Sequence, residues 1–211
     1  GNSLTITNVA NGEKNEIKVN KNLKAKGDIT ITNEEAAINV AQGASMSGAS
    51  VTLNATADDV VVDGGNITAN AVKVTAPEML VNVGTIKATK VEASQNMAVA
   101  GGTINAATVQ ANNAMTLTGG TIIATEVTSG GAMTLAGGTV NAANIIAAGA
   151  MDITGSTVNT GTGEGLIKAA SINMTAGQVN GNALDVTATG DFTQNGGSII
   201  ATTASINADT D

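Results

Sequence analysis

Apolar side chains in this chain occur in pairs separated by a single residue, and successive pairs begin about six residues apart. One stretch near the middle contains the pairs Met97/Val99, Ile104/Ala106 and Val109/Ala111. Alternation with period two is typical of a β-strand that buries one face. Val, Ile and Thr dominate these stretches, and the i, i+3, i+4 spacing of an amphipathic helix does not occur in them. The pattern therefore predicts short strands joined by tight corners.

Groups of three such pairs repeat along the chain with a period of 18 residues. Five of the seven methionines mark this period: Met79, Met97, Met115, Met133 and Met151. On either side the same position is taken, at intervals of 19 to 22 residues, by Ile38, Val60, Ile172 and Phe192. A constant period of this length indicates a solenoid, because each repeat forms one coil and buries its apolar face against the next coil.

We predict an all-β protein, a right-handed parallel β-helix (β-solenoid) with three short strands in each coil of about 18–21 residues and about 9–11 coils. Residues 1–16 are expected to form an N-terminal strand or cap segment, and residues 17–211 a single β-solenoid domain. The five periodic methionines and Phe192 are expected to form a structural core column inside the coils.

A second set of positions is predicted to form the corners of the coils. Glycine suits a corner because it accepts a positive φ and allows close approach of a neighbouring backbone. The predicted corner glycines are Gly65, Gly84, Gly102, Gly120, Gly138, Gly177 and Gly197. The single proline, Pro77, also falls between two predicted strands.

The composition excludes much chemistry. The chain has no His, Cys, Trp or Tyr, and all nine of its cationic side chains are Lys. It therefore has no imidazole or thiolate for catalysis or metal binding, and no guanidinium for a bidentate phosphate contact. We predict no enzymatic activity, no cofactor and no metal site; a polysaccharide lyase or glycosidase is the enzyme alternative. The net charge of −8 argues against nucleic acid as a partner.

The best carboxylate group consists of Asp58, Asp59 and Asp63. A solvated corner is the simpler interpretation, and a weak cation site is the alternative. Asp58 and Asp63 are also the pair of acids that a polysaccharide lyase or glycosidase would use.

Charge is unevenly distributed, and between Ala93 and Met151 the only ionisable side chain is Glu126. The apolar residues Ile123, Ile146 and Ile200, like Leu80, fall on outward positions. They predict either a widened corner that buries them or a lateral contact surface between rods.

Five of the nine lysines lie close to the N-terminus: Lys14, Lys18, Lys21, Lys24 and Lys26. They are expected to protect an exposed solenoid end from edge pairing, with a binding patch as the alternative. The C-terminal region has no recognisable amphipathic cap, and an uncapped parallel edge favours addition of another strand. The chain itself is therefore the expected partner, through end-to-end stacking.

The 18- to 21-residue coils, the Gly-, Asn-, Thr- and Ala-rich composition and the missing Cys resemble the β-helices of bacterial filamentous-haemagglutinin-like adhesins and autotransporter passengers, over roughly residues 17–208. The resemblance implies an exported surface protein that acts by length, adhesion or polymerisation. We expect an extracellular structural subunit whose secretion signal has been removed and which has no transmembrane segment. The alternatives are an adhesin passenger fragment that binds a surface glycan or protein, and an ice-binding solenoid that uses its threonine column.

Overall fold

The computed structural model describes residues 2–209, and within them every regular element is a β-strand. The strands of the first five coils and the segment before them are β1 (Leu4–Asn8), β2 (Ile17–Val19), β3 (Leu23–Lys24), β4 (Ile29–Asn33), β5 (Ile38–Ala41), β6 (Ser45–Ser47), β7 (Ser50–Ala55), β8 (Val60–Thr68), β9 (Ala71–Thr75), β10 (Glu78–Lys87), β11 (Lys90–Ala93), β12 (Asn96–Val99), β13 (Thr103–Asn105) and β14 (Thr108–Ala111). The remaining strands are β15 (Met115–Leu117), β16 (Thr121–Ile123), β17 (Glu126–Ser129), β18 (Met133–Leu135), β19 (Thr139–Asn141), β20 (Asn144–Ala147), β21 (Ala150–Asn159), β22 (Glu164–Ala169), β23 (Ser171–Ala188), β24 (Phe192–Gln194) and β25 (Ser198–Ala208). The predicted bounds at residues 1 and 211 lie outside the described residues.

The strands stack into three parallel sheets that run along the solenoid. The first sheet begins with β2 and ends with β24, and it contains the methionine positions. The second begins with β3 and ends with the first part of β25. The third begins with β1 and ends with the second part of β25. Long strands such as β10, β21 and β23 bend around a corner and serve more than one sheet.

These sheets form ten coils, from β2–β4 (coil 1) to β24–β25 (coil 10), and β1 precedes coil 1 as an additional strand of the third sheet. The predicted all-β parallel β-solenoid is confirmed, with three strands in each coil. The constant interval along the chain follows from this architecture, because paired strand residues such as Met97 and Met115 lie one above the other in successive coils; register shifts occur at a few corners.

The core is a continuous column of side chains from all three sheets. Met79 pairs with Met97, Met97 with Met115, and the series continues through Met133 to Met151. All five are at most 1% exposed. The column extends through Val60 and Ile38 at one end, and through Ile172 to Phe192 at the other. Inward positions elsewhere are mostly Val, Ile, Leu and Ala, whose small volume suits a narrow coil.

The corner glycines meet two different steric requirements. Gly84, Gly120, Gly138, Gly177 and Gly197 have a positive φ, between 70° and 99°. Gly65 and Gly102 do not, and a Cβ added to either would lie 2.5 Å from a valine methyl carbon of the preceding coil. In the coil that contains Gly65, the positive φ belongs to its neighbour Gly64. Close approach between coils, as well as turn geometry, therefore demands glycine at these corners.

An asparagine ladder follows the outer face of the second sheet. The side-chain amide of Asn159 donates to Asn141 Oδ1 at 2.7 Å, and that of Asn180 donates to Asn159 Oδ1 at 2.9 Å. One coil earlier the equivalent position is Ile123, which separates Asn141 from Asn105. The ladder is therefore continuous only toward the C-terminal end.

Candidate functional site: the two open ends of the solenoid

The last coil presents core positions that no further described coil covers. Phe192 lies above Ile172 and Ile199 above Val179, and both are only half-buried. Ile206 lies above Val186, which is 2% exposed, whereas Ile206 itself is 45% exposed. Three inward-facing apolar side chains, one from each sheet, are thus partly open to solvent at this end.

The first coil presents the opposite face of the same cross-section. Ile17 of the first sheet and Leu23 of the second sheet occupy inward positions and are half-buried. Beside them on the outer surface, Lys18 and Lys24 are exposed. Among residues 2–209 no strand pairs with the outer edges of β2 and β3, where partly open core positions lie beside cationic side chains.

Charged side chains are distributed differently at the two ends. Residues 14–26 contain five lysines and one acidic residue, Glu16. Residues 169–209 contain three acidic residues, Asp185, Asp191 and Asp209, and no cationic residue. The acidic residues Glu13, Asp28, Glu34 and Glu35 adjoin these lysines, so residues 1–35 carry no net charge and the lysines form only a local cluster around β2 and β3.

The third sheet at the first coil is covered by β1. This strand pairs with β4 in parallel from Leu4–Ile29 to Asn8–Asn33, and it helps to bury Ile29 and Ile31 completely. Its own inward residues, Leu4 and Ile6, are only half-buried. The following segment, residues 9–16, is exposed along its whole length.

Three side chains of coil 1 and the following corner hold this exposed segment. Glu34 Oε2 accepts a hydrogen bond from the backbone N–H of Ala10 at 3.1 Å, and Glu35 Oε1 accepts one from Gly12 N–H at 2.9 Å. Asn33 is fully buried; it donates to the carbonyl of Asn15 at 2.9 Å and accepts from the side-chain amide of Asn8 at 2.9 Å. The segment is therefore fixed mainly by polar contacts.

The backbone N–H groups of Gly12 and Asn11, helped by the nearby charge of Lys14, hold the pKa of Glu35 below its ordinary value. A different carboxylate, Glu78, has a raised pKa, because it is partly buried and lies near Asp59. Sequence reasoning identified neither residue, since both effects depend on neighbours from another coil or segment.

The sequence-predicted carboxylate group is dispersed in the structure. Asp58 and Asp59 precede the segment Val60–Val62 of β8, and Asp63 follows it, so the strand separates them. Within residues 2–209 no cluster of three or more acidic side chains is placed to hold a metal ion.

The predicted lateral-contact residues do not form one patch. Ile123 and Ile200, 40% and 53% exposed, share the outer ladder of the second sheet, but Asn141, Asn159 and Asn180 lie between them. Ile146, half-buried, lies on the outer face of the third sheet.

An open cleft of about 650 Å³ lies outside the third sheet between coils 7 and 10. It forms because β22 begins at Glu164, two residues before Leu166, the residue that pairs with the start of β20. The later strands therefore overhang the earlier one. Its lining includes Asn144, Glu164, Leu166, Asp185, Thr203 and Ser205. The longer interval at the glycine-rich corner before Glu164 was the only sequence signal of this feature.

Comparison of the chain with protein-family models, with curated proteins and with solved structures gives no match. Among residues 2–209 there is no helix with the length and apolar character needed to cross a membrane.

Proposed function

We propose that this chain is a non-enzymatic, extracellular structural subunit that assembles end to end into a surface filament or stalk. The observation that carries the proposal is the match between the two ends. Both ends have partly open apolar core positions and open parallel edges, in the first and second sheets at coil 1 and in all three sheets at coil 10. A second copy is the occupant that fits such an edge, because only another coil of the same shape continues all the ladders.

The strand ends agree in detail as well as in shape. Placing β24 on the β2 of a second copy, with Phe192 over Ile17, repeats the contact that Phe192 makes with Ile172 inside the solenoid. In the same arrangement Ile199 lies over Leu23 in the second sheet. Burial of these side chains supplies the favourable free energy of the contact.

A local charge contact accompanies this stacking. The lysine cluster around β2 and β3 lies beside the incoming strands β24 and β25 of another copy, and it attracts Asp191 and Asp209, which flank those strands. The contact is heterologous and does not close on itself, so it produces a filament whose growth slows as salt is added.

An assay of assembly tests this proposal directly. The purified chain is expected to form unbranched rods visible by electron microscopy and to sediment as a concentration-dependent series of oligomers. Ile206→Lys places a charge among the open core positions of the last coil and is expected to abolish the rods. Ile123→Lys is the matched control, because Ile123 is similarly exposed, at 40%, but faces outward in a middle coil.

The possible results separate two routes of association. Loss of rods in Ile123→Lys with rods retained in Ile206→Lys would replace end-to-end stacking by lateral association. A strictly monomeric particle at high concentration, at low and at physiological salt, would overturn self-assembly altogether.

The extracellular location rests on the resemblance to exported surface β-helices. Antibody labelling of intact source cells tests it: a surface filament is expected to bind an antibody against the chain without permeabilisation of the cells. Detection only after lysis would contradict the proposed location.

A second candidate function is adhesion to a surface glycan or protein, and the cleft between coils 7 and 10 favours it. Its carboxylates, hydroxyl groups and amide surround the half-buried Leu166, a mixture that suits a polar ligand with a small apolar face. Saturable binding by the non-assembling Ile206→Lys variant, lost when Glu164→Gln and Asp185→Asn are combined, would support adhesion. Equal binding by both variants would exclude this cleft.

A further inference from the structure

The three sheets contain unequal numbers of strands. Within residues 2–209 the first and second sheets each have ten strand segments, whereas the third has eleven, because β1 lies on β4 ahead of coil 1. Strands in a sheet are about 4.8 Å apart. The third sheet is therefore about one strand spacing longer than the other two.

This inequality has a direct consequence for end-to-end stacking. When β24 of one copy pairs with β2 of the next, residues 203–208 of the first copy reach the free edge of the third sheet at the level of β1. Both segments then require the same place on β4. If β1 stays, it can stack on residues 203–208, but the first and second sheets are then left with an unfilled gap of one strand.

We propose that β1 is a displaceable strap that blocks the growing end, and that assembly proceeds by strand exchange, with residues 203–208 of one copy replacing β1 on β4 of the next. This inference rests on the proposed end-to-end assembly and adds the step that controls it. The partner is a second copy of this chain, and the surface that it requires is the edge of β4.

The incoming strand has the pattern needed to replace β1. Leu4 and Ile6 of β1 face inward over Ile29 and Ile31, with threonines facing outward between and after them. In residues 203–208 the inward positions are Ala204, Ile206 and Ala208, and polar residues alternate with them. Placing Ile206 over Ile31 keeps every apolar side chain on the core side, with Ala208 in the place of Asn8 and without the hydrogen bond that Asn8 donates to Asn33.

The attachment of β1 suits a strap that is held but can be released. One edge of β1 pairs with β4, its inward residues are half-buried, and an exposed segment of eight residues, 9–16, connects it to coil 1. The hydrogen bonds from Ala10 and Gly12 to Glu34 and Glu35 fasten that segment. Because β1 is tethered, its effective concentration at β4 is on the order of millimolar, and it competes strongly with a dilute second copy.

A reversible covalent lock tests the strap. The chain has no cysteine, so the double variant Thr5→Cys with Thr30→Cys introduces a single pair of thiols. These residues are paired across β1 and β4 on the outer face, at a spacing that a disulfide accepts. The matched control is Thr116→Cys with Thr134→Cys, an equivalent outward pair between two middle coils.

The oxidised β1 lock is expected to lose assembly, and reduction is expected to restore it, while the control assembles in both states. Rods formed equally well by the oxidised lock would overturn the strap and leave end-to-end assembly intact.

Variants that weaken the attachment of β1 to β4 test the strap from the opposite direction. Ile6→Asp places a charge on the inward face of β1 and is expected to shorten the lag before rods appear, as is Glu34→Gln combined with Glu35→Gln. If the wild-type chain forms rods only after a lag and these variants form them sooner, the strap is supported; an unchanged lag would overturn it. If neither they nor the reduced lock form rods, the proposed assembly itself fails.

Discussion

The middle coils and the end coils of this solenoid are built from the same pattern but differ in what surrounds them. Between coils 5 and 7 each inward residue is covered from above and below, and Met97, Met115 and Met133 are essentially fully buried. In coil 10 the equivalent Phe192 is half-buried, and Ile206 is 45% exposed. Stacking of neighbouring coils therefore protects the interior of the solenoid, and the inward apolar side chains of the last described coil are partly exposed.

Truncating the core column should give the largest contrast between the two regions. Met115→Ala removes a fully buried side chain from a middle coil and is expected to cost about 2–5 kcal/mol of unfolding free energy. Phe192→Ala, at the equivalent position of the last coil, is expected to cost less, because solvent and local relaxation fill part of the space. Urea denaturation of the monomeric chain measures both, and equal losses would mean that coil 10 is covered in solution.

Corner glycines should give the next largest effect. Gly120 has a φ of +70°, and a Cβ there would overlap the carbonyl oxygen of Gly102 in the preceding coil. We expect Gly120→Ala to cost at least about 1–2 kcal/mol, from the left-handed backbone alone. Gly163→Ala is the control, since no atom lies within 4 Å of the added carbon, and its effect should be below about 0.5 kcal/mol. Similar thermal shifts for the two variants would contradict the steric account.

The asparagine ladder distinguishes the coils on either side of Ile123. Asn159→Ala removes hydrogen bonds to two neighbouring coils and should cost about 1 kcal/mol. Ile123→Asn restores the ladder between Asn105 and Asn141, and its cost should be smaller because this isoleucine is already 40% exposed. Denaturation curves measure both variants, and a larger loss of stability in Ile123→Asn would contradict a stabilising role of the ladder.

Lowering the pH should have the smallest effect on stability, and this effect should be confined to the first coil and the segment before it. The lowered pKa of Glu35 means that its contacts with the 9–16 segment stabilise the folded state above the ordinary pKa of a glutamate. That stability is lost as the pH falls through the lowered pKa. Glu34, Glu13 and Lys14 also lie at this segment, so the Glu35 titration should be followed by NMR together with amide exchange at Gly12. A midpoint at or above the ordinary glutamate value would contradict the observed contacts.

The regular part of the fold could be predicted because its information is local and repeated. Met79 to Met151 recur at a constant interval, so a coil length, a core position and a strand pattern follow from the sequence directly. The pairing of β1 with β4 was not predictable in this way, since 25 residues separate Leu4 from Ile29 and the intervening polar segment interrupts the period. The same applies to the cleft beside Glu164, which arises from the length of one corner.

The candidate sites, too, include features that the sequence could predict and features that depend on the structure. Sequence reasoning grouped Asp58 with Asp63 and Ile123 with Ile146 by proximity or by type, whereas the structure places each pair on different corners or sheets. The prediction that the ends of the solenoid make contacts, which was based on the clustered lysines and the C-terminal sequence, stays a prediction.

By itself, the sequence determined the coil, its core column and the absence of the side chains used for most catalysis, because a solenoid repeats one short pattern whose periodicity is sufficient to specify it. Only the tertiary structure decided which strands share an edge, how Glu34 and Glu35 fasten the segment after β1, and that the third sheet contains one strand more than its neighbours. Those features depend on the lengths of irregular corners, which set which residues meet between coils and leave no periodic trace in the chain.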